Sequence, residues 1–283
     1  MKSLSIITLS DDRKLGFLEY GKQNGTPLLL FHGAPGSRLE CHPDQSILET
    51  LGIRLIVPDR PGYGASDSAP ERTILSWTDD VEQLLDVLAL DSCAVIGFSG
   101  GGPYAMACAC QLPERVSRLG LVSSVAPFDN PNGTDGMNEQ SKALYALALA
   151  DPVTFRAQIE ALVSSGEALY QIMTAGLPEE DTRLFDSEPL AGMYRNNMDE
   201  AVRSGVDGIV SDMLLYPQSW GFQLGDIGCE TYLWQGMKDI NVPPAMGQYL
   251  AEVIPGCSPE FLSEDAHFLL FSHWQKILSR LTS

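Results

Sequence analysis

Short apolar runs alternate with amphipathic stretches through the first 126 residues. Ser5 to Leu9 and Lys14 to Tyr20 predict strands joined by a turn at Asp11-Asp12. Pro27 to Phe31 (PLLLF) and Arg54 to Val57 are apolar at consecutive positions, the pattern of strands covered on both faces. Between these two, Asp44 to Leu51 predicts a helix, with Gly52 as its C-cap. Val81, Leu84, Leu85 and Leu88 share one face of a helix over Trp77 to Leu90. Cys93 to Phe98 (CAVIGF) predicts a further strand, running straight into the small-residue helix SGGGPYAMACACQL. Leu119 to Val122 closes the series.

The rhythm then changes. From Pro127 to Gly221 no strand pattern occurs. Helical patterns over Gln140 to Ala150, Pro152 to Ser164, Gly166 to Met173 and Met198 to Leu214 are interrupted by Gly, Pro and Asn. Strand and helix alternate again from Thr231 to Trp234 and Glu260 to Leu262, and a helix over Trp274 to Leu281 ends the chain. This order predicts an α/β protein: a mostly parallel central sheet with helices on both faces. Residues 1–126 and 222–283 would form the core, and 127–221 an inserted all-helical cap. No repeat or low-complexity tract interrupts it.

Charge narrows the partners. The 283 residues carry a formal net charge of −19. Residues 127–221 hold 15 acidic against 5 basic side chains, a net of −10. Such a field repels nucleic acid and anionic membrane surfaces, so neither is expected as a partner. No run of 18 apolar residues occurs, and the apolar stretch near the N-terminus is too short for a signal peptide. The six cysteines form neither CxxC pairs nor Cys/His clusters, so no metal site is expected. A reducing, cytoplasmic location fits their usage. Oligomeric state leaves no mark on the sequence.

Gly97-Phe98-Ser99-Gly100-Gly101 fits G-x-S-x-G, and it falls where a predicted strand meets a predicted helix. That turn holds a serine strained and exposed, at a helix start whose free N–H groups face an oxyanion. A serine hydroxyl needs a base near pKa 7. Of the four histidines, His267 follows the last predicted strand, on the sheet edge where Ser99 must lie. His273, one turn later, suits a surface or capping role, and His42 suggests none. Asp239, after the strand Thr231 to Trp234, is the expected carboxylate for His267. Asp265 is the alternative, nearer in sequence but forced to fold back on itself.

With these pieces, the sequence resembles the α/β-hydrolase fold family, in the branch with an HGxP loop and a helical cap. The matching segments are His32-Gly33-Ala34-Pro35, Asp59 to Ser66 (DRPGYGAS), the Ser99 turn, Gly236 to Asp239, and Asp265-Ala266-His267. They run in the family's order along almost the whole chain. The resemblance implies an oxyanion hole from the N–H groups of Ala34 and Gly100, a structural His32, and a cis Ala34-Pro35 peptide. It also implies that Asp59 braces loops. Epoxide hydrolases and haloalkane dehalogenases of this fold carry aspartate where this chain has Ser99, so their reactions are disfavoured.

The expected chemistry is hydrolysis of a small or medium-sized carboxylic ester through an acyl-enzyme, without metal or organic cofactor. Phe98, Tyr145, Tyr170 and Tyr194 are candidate substrate contacts. Phe155, Met173, Met198, Met213 and Tyr104 are further candidates, and packing in the core is the competing role for each of these residues. Two other classes stay open. One is an iminopeptidase-like amidase whose cap carboxylates (Glu139, Glu167 or Asp199) hold a substrate amine. The other is a small-molecule sensor that keeps the triad without turnover. Lyase or cofactor-independent oxygenase chemistry on like residues is a further alternative.

Overall fold

The computed structural model describes residues 4–130 and 133–283. Eight strands build one sheet: β1 (Ser5–Thr8), β2 (Lys14–Gly21), β3 (Thr26–Phe31), β4 (Ile53–Pro58), β5 (Cys93–Phe98), β6 (Val116–Val122), β7 (Glu230–Gly236) and β8 (Ser258–Leu262). Their spatial order is β1-β2-β4-β3-β5-β6-β7-β8. β1 with β2, and β2 with β4, pair antiparallel, and every other neighbouring pair is parallel.

Alternation along β3 shows how the sheet is covered. Leu28 and Leu30 face one apolar cluster, Leu29 and Phe31 the other, and all four are fully buried. The first cluster includes Leu48 of α1 (Ser46–Leu51), while the second includes Val81 and Leu84 of α2 (Trp77–Val87) and Met106 of α3 (Gly102–Gln111). A strand so placed must be apolar at every position, which is why CAVIGF and PLLLF read as they do. Truncating one such residue, for example Leu29→Ala, is expected to cost about 2–5 kcal/mol.

Between β6 and β7 the described residues form helices and no strand: α4 (Glu139–Ala150), α5 (Pro152–Leu162), α6 (Gly166–Thr174), α7 (Glu179–Phe185), α8 (Glu188–Ala201) and α9 (Asp207–Leu215). The side chains of Asn138, Asp151 and Ser165 cap α4, α5 and α6 through the N–H groups of Ser141, Thr154 and Ala168. The chain closes with α10 (Pro244–Val253), α11 (Leu269–Ser272) and α12 (Trp274–Thr282). Among the described residues no helix is long and apolar enough to cross a membrane.

Several elements differ from the pattern-based expectation. The helix expected over Met198 to Leu214 is two helices. α8 stops at Ala201, the chain turns through Gly205 at φ +106°, and α9 starts at Asp207. Both sides of that break are apolar, so periodicity carried across it. The helix from Trp77 ends at Val87, where Ala89 turns at φ +52°. α7 and α10 have no counterpart in the expected elements.

Candidate active site

Three loops at the C-terminal ends of parallel strands converge, the usual location of sites in such sheets. The first follows β5 directly. Ser99 takes φ +52°, a left-handed conformation that a non-glycine residue adopts only where its surroundings enforce it. A Cβ on Gly101 would sit 2.1 Å from the carbonyl oxygen of Phe31, so β3 and the start of α3 touch backbone to backbone. Ser99 is 9% exposed.

The second and third loops are joined to each other. Lys238 N–H donates to the Asp265 carbonyl (3.0 Å) and Met237 N–H to the Leu262 carbonyl (2.9 Å). Gly236 lets them meet, since a Cβ there would lie 2.2 Å from the Ala266 carbonyl oxygen. Asp239 Oδ2 lies 2.9 Å from His267 Nδ1 as a result. Its other oxygen, Oδ1, accepts the N–H groups of Asn241 and Val242, each at 2.9 Å. Nδ1 therefore carries the proton, and Nε2 keeps a free lone pair. The alternative acid, Asp265, instead meets His273 Nε2 at 3.0 Å.

The imidazole of His267 packs 5.3 Å from the ring of Phe98, the residue before Ser99. Among the described residues the Ser99 hydroxyl makes no hydrogen bond to His267. Such contacts are commonly loose without substrate and tighten in the reacting complex. Burial alone would lower the His267 pKa. The charge and hydrogen bond of Asp239, joined by the charges of Asp181 and Glu40, outweigh burial and raise it.

Ala34 and Gly100 are neighbours: a Cβ on Gly100 would fall 2.6 Å from Ala34 Cβ. The Ala34-Pro35 peptide is cis. His32 is fully buried, and burial with the nearby Arg60 charge pushes its pKa well down. Asp59 accepts Arg38 N–H (2.6 Å) and Ala65 N–H (2.8 Å), and its Oδ2 also meets Arg38 Nη1 at 2.6 Å. It binds two loops together, as the resemblance implied.

Of the candidate pocket residues, Phe98, Tyr170 and Tyr194 belong to one aromatic group. Tyr194 and Phe98 lie 5.3 and 6.1 Å from the ring of Phe268, which edges His267 at 5.2 Å. Tyr170 stands 6.0 Å from Tyr194. Tyr145 packs on Phe128 (4.8 Å) in the other cluster, against which Ala34 also packs. Phe155, Met198 and Tyr104 are fully buried packing residues. Glu139, Glu167 and Asp199, the candidate amine-holding carboxylates, face solvent instead. Glu139 pairs with Lys142, and Glu167 accepts from Gln171.

Two buried carboxylates near His267 escaped the sequence reading. Asp181 of α7 accepts the N–H groups of His267 and Phe268, each at 2.9 Å. Its charge favours the imidazolium. Asp181→Asn is expected to move the acid limb of a kcat/KM profile to lower pH. A limb left in place would mean that Asp181 does not act on the His267 proton.

Glu40 lies beneath the HGxP loop, with Oε2 accepting Gly33 N–H at 2.9 Å. Burial pushes its carboxyl up to about 7, against the opposing pull of that N–H and of Arg60. A carboxyl raised by folding keeps its proton in the native state after the unfolded chain has lost it. Stability therefore falls as pH rises from about 4.5 to 7, by about 3 kcal/mol, and is level above that. Glu40→Gln removes this slope, and Tm measured across that range would show it. An unchanged slope would contradict the assignment.

Residues 26–273 match the family model described as the alpha/beta hydrolase fold. The chain belongs to this family. It is 36% identical over 111 residues to the uncharacterized hydrolase YcgS of Bacillus subtilis (strain 168), a match covering 39% of each chain. It is 25% identical over 270 residues to 2-hydroxy-6-oxononadienedioate/2-hydroxy-6-oxononatrienedioate hydrolase 1 of Pseudomonas putida, covering 93% of this chain and 88% of that one. The matches to the first curated relatives span only 34–50% of those proteins' lengths. Among solved structures, a hydrolase from Pseudomonas aeruginosa PA01 superposes with TM-score 0.76 at 20% identity, over 99% of this chain and 98% of that one. An esterase from Exiguobacterium antarcticum gives 0.72 at 22% identity over 99% of both. At these identities the two likenesses establish the fold.

Proposed function

We propose that the chain is a serine hydrolase that cleaves small or medium-sized carboxylic esters. The observation that carries this reading is the Asp239–His267 pair, 2.9 Å apart, on the same sheet edge as the left-handed Ser99. The Ser99 hydroxyl attacks the ester carbonyl while His267 Nε2 takes its proton. Charge developing on the carbonyl oxygen is met by the N–H groups of Ala34 and Gly100. Collapse expels the alcohol, which receives the proton from His267. Water, deprotonated by the same nitrogen, then releases the acid and restores Ser99.

The helices between β6 and β7 act as a cap over this edge. Tyr170 and Tyr194 of the cap meet Phe98 and Phe268 of the core in an aromatic wall, which suits an apolar acyl or alcohol group. The amidase alternative loses its support, because the carboxylates it needed face solvent. Those that do lie near His267, Glu40 and Asp181, are already held by main-chain N–H groups. The test is a matched pair of substrates, a nitrophenyl ester and an aminoacyl-naphthylamide of similar size. The ester should turn over at least about 100-fold faster in kcat/KM, whereas preference for the free-amine substrate would overturn the assignment.

A further inference from the structure

We propose that Arg60 is a positioning residue for the oxyanion hole, acting through the Gly33–Ala34 peptide, and that Asp212 of the cap holds it there. This rests on the reading of Ser99 as nucleophile and of the Ala34 N–H as an oxyanion donor.

Arg60 is fully buried, and its guanidinium points at the HGxP loop from beneath. Nη1 donates to the His32 carbonyl, and Nη2 to the Gly33 carbonyl at 3.0 Å. The Gly33 carbonyl is the far end of the amide whose N–H belongs to Ala34. A charged donor on that oxygen draws density through the amide and makes the Ala34 N–H a stronger donor. A second donor reaches the same oxygen. Arg60 N–H donates to His32 Nε2 (3.2 Å), so the His32 proton sits on Nδ1, 2.7 Å from the Gly33 carbonyl. The Gly100 N–H has no such charged support: the carbonyl of its peptide, Ser99 C=O, accepts the neutral N–H groups of Gly102 and, at 3.2 Å, Val125. The two donors are therefore unequal, with Ala34 the stronger.

Asp212 fixes this arrangement from α9. Its Oδ2 accepts Arg60 Nη2 (2.8 Å) and Tyr63 OH (2.9 Å), and its Oδ1 accepts Arg72 Nη2 (2.6 Å) and Tyr104 OH (2.5 Å). Burial would raise the Asp212 carboxyl, but the two arginines hold it below the ordinary carboxylate range. Just beyond α9, Tyr216 OH donates to the Gly100 carbonyl (2.9 Å). The end of α9 thus reaches Gly100 directly and the HGxP loop through Arg60.

Arg72 supplies the control. It pairs with the same carboxylate, but among the described residues it makes no hydrogen bond to the HGxP loop, so its loss weakens the cap anchor alone. Arg60→Gln is expected to lower ester kcat by about 10- to 100-fold with KM nearly unchanged. Affinity for a trifluoromethyl ketone, which forms a tetrahedral adduct on the serine, should fall by a similar factor. Arg72→Gln should lower Tm comparably yet keep kcat within about threefold. If Arg60→Gln does not fold, Arg60→Lys replaces it. An ammonium keeps the charge but lacks the planar fork that meets both carbonyls and Asp212 at once, so a loss of about three- to tenfold is expected in kcat and in ketone affinity. Unchanged kcat and ketone affinity in the folded Arg60 variant, or an equal kcat loss in Arg72→Gln, would overturn the proposal. Turnover retained in Ser99→Ala would instead overturn the underlying assignment of the nucleophile.

Discussion

Ser99→Ala should abolish ester turnover, with a fall in kcat of about 10³- to 10⁶-fold. Alanine keeps the Cβ that the left-handed turn at this position already accommodates, so the shape of the turn is kept. Tm should therefore move little. The residue left behind has no oxygen to acylate, so any remaining rate comes from binding and from the N–H groups of Ala34 and Gly100 acting on attack by water. Steady-state kinetics beside a melting curve measures both quantities. Loss of activity together with loss of fold would be uninformative about chemistry, and a folded, active variant would remove Ser99 from the mechanism.

Asp239→Asn is expected to lower kcat by about 10⁴-fold, for a reason visible in its hydrogen bonds. The N–H groups of Asn241 and Val242 both donate to Oδ1, so the side-chain oxygen of an asparagine must occupy that side. The amide nitrogen, in the place of Oδ2, is then forced toward His267 Nδ1, and Gln235 Nε2, 3.4 Å from that Oδ2, loses its acceptor there. A donor facing Nδ1 turns the imidazole into the tautomer with its proton on Nε2, the wrong nitrogen to accept from Ser99. The same exchange removes the charge that most raises the His267 pKa. In the native protein the imidazole must be neutral to act, so activity falls as pH drops through a pKa above the ordinary histidine value. Asp239→Asn should shift that limb of the residual activity to lower pH. A kcat profile from pH 5 to 9 checks magnitude and direction together, and a loss below about tenfold would contradict the role given to Asp239.

The strands and the convergent loops were legible in the sequence because each depends on local pattern. A strand buried on both faces must be continuously apolar, and Ser99 and Asp239 lie past such runs, whereas His267 follows the edge strand β8, SPEFL. The segment between β6 and β7 was legible only as helical. Its helices pack on one another as well as on the core, so no single periodic face marks their limits, and the break between α8 and α9 lies in an apolar stretch. α7 was invisible because its first turn, Glu179-Glu180-Asp181, reads as a solvated face. Only the fold brings Asp181 to the N–H of His267, across 86 positions of sequence. Arg60 and Asp212, 152 positions apart, join for the same reason. Buried ion pairs between distant segments leave no pattern that periodicity or spacing can detect. Their cost on removal of one partner is nevertheless large, about 3–5 kcal/mol.

Labelling with a fluorophosphonate, followed by mass analysis of the modified peptide, tests the central claim most directly. The phosphonyl group should be found on Ser99 alone, in a reaction that His267→Ala slows severely. Modification of any other residue, or labelling at an unchanged rate without the imidazole, would contradict the assignment of hydroxyl and base.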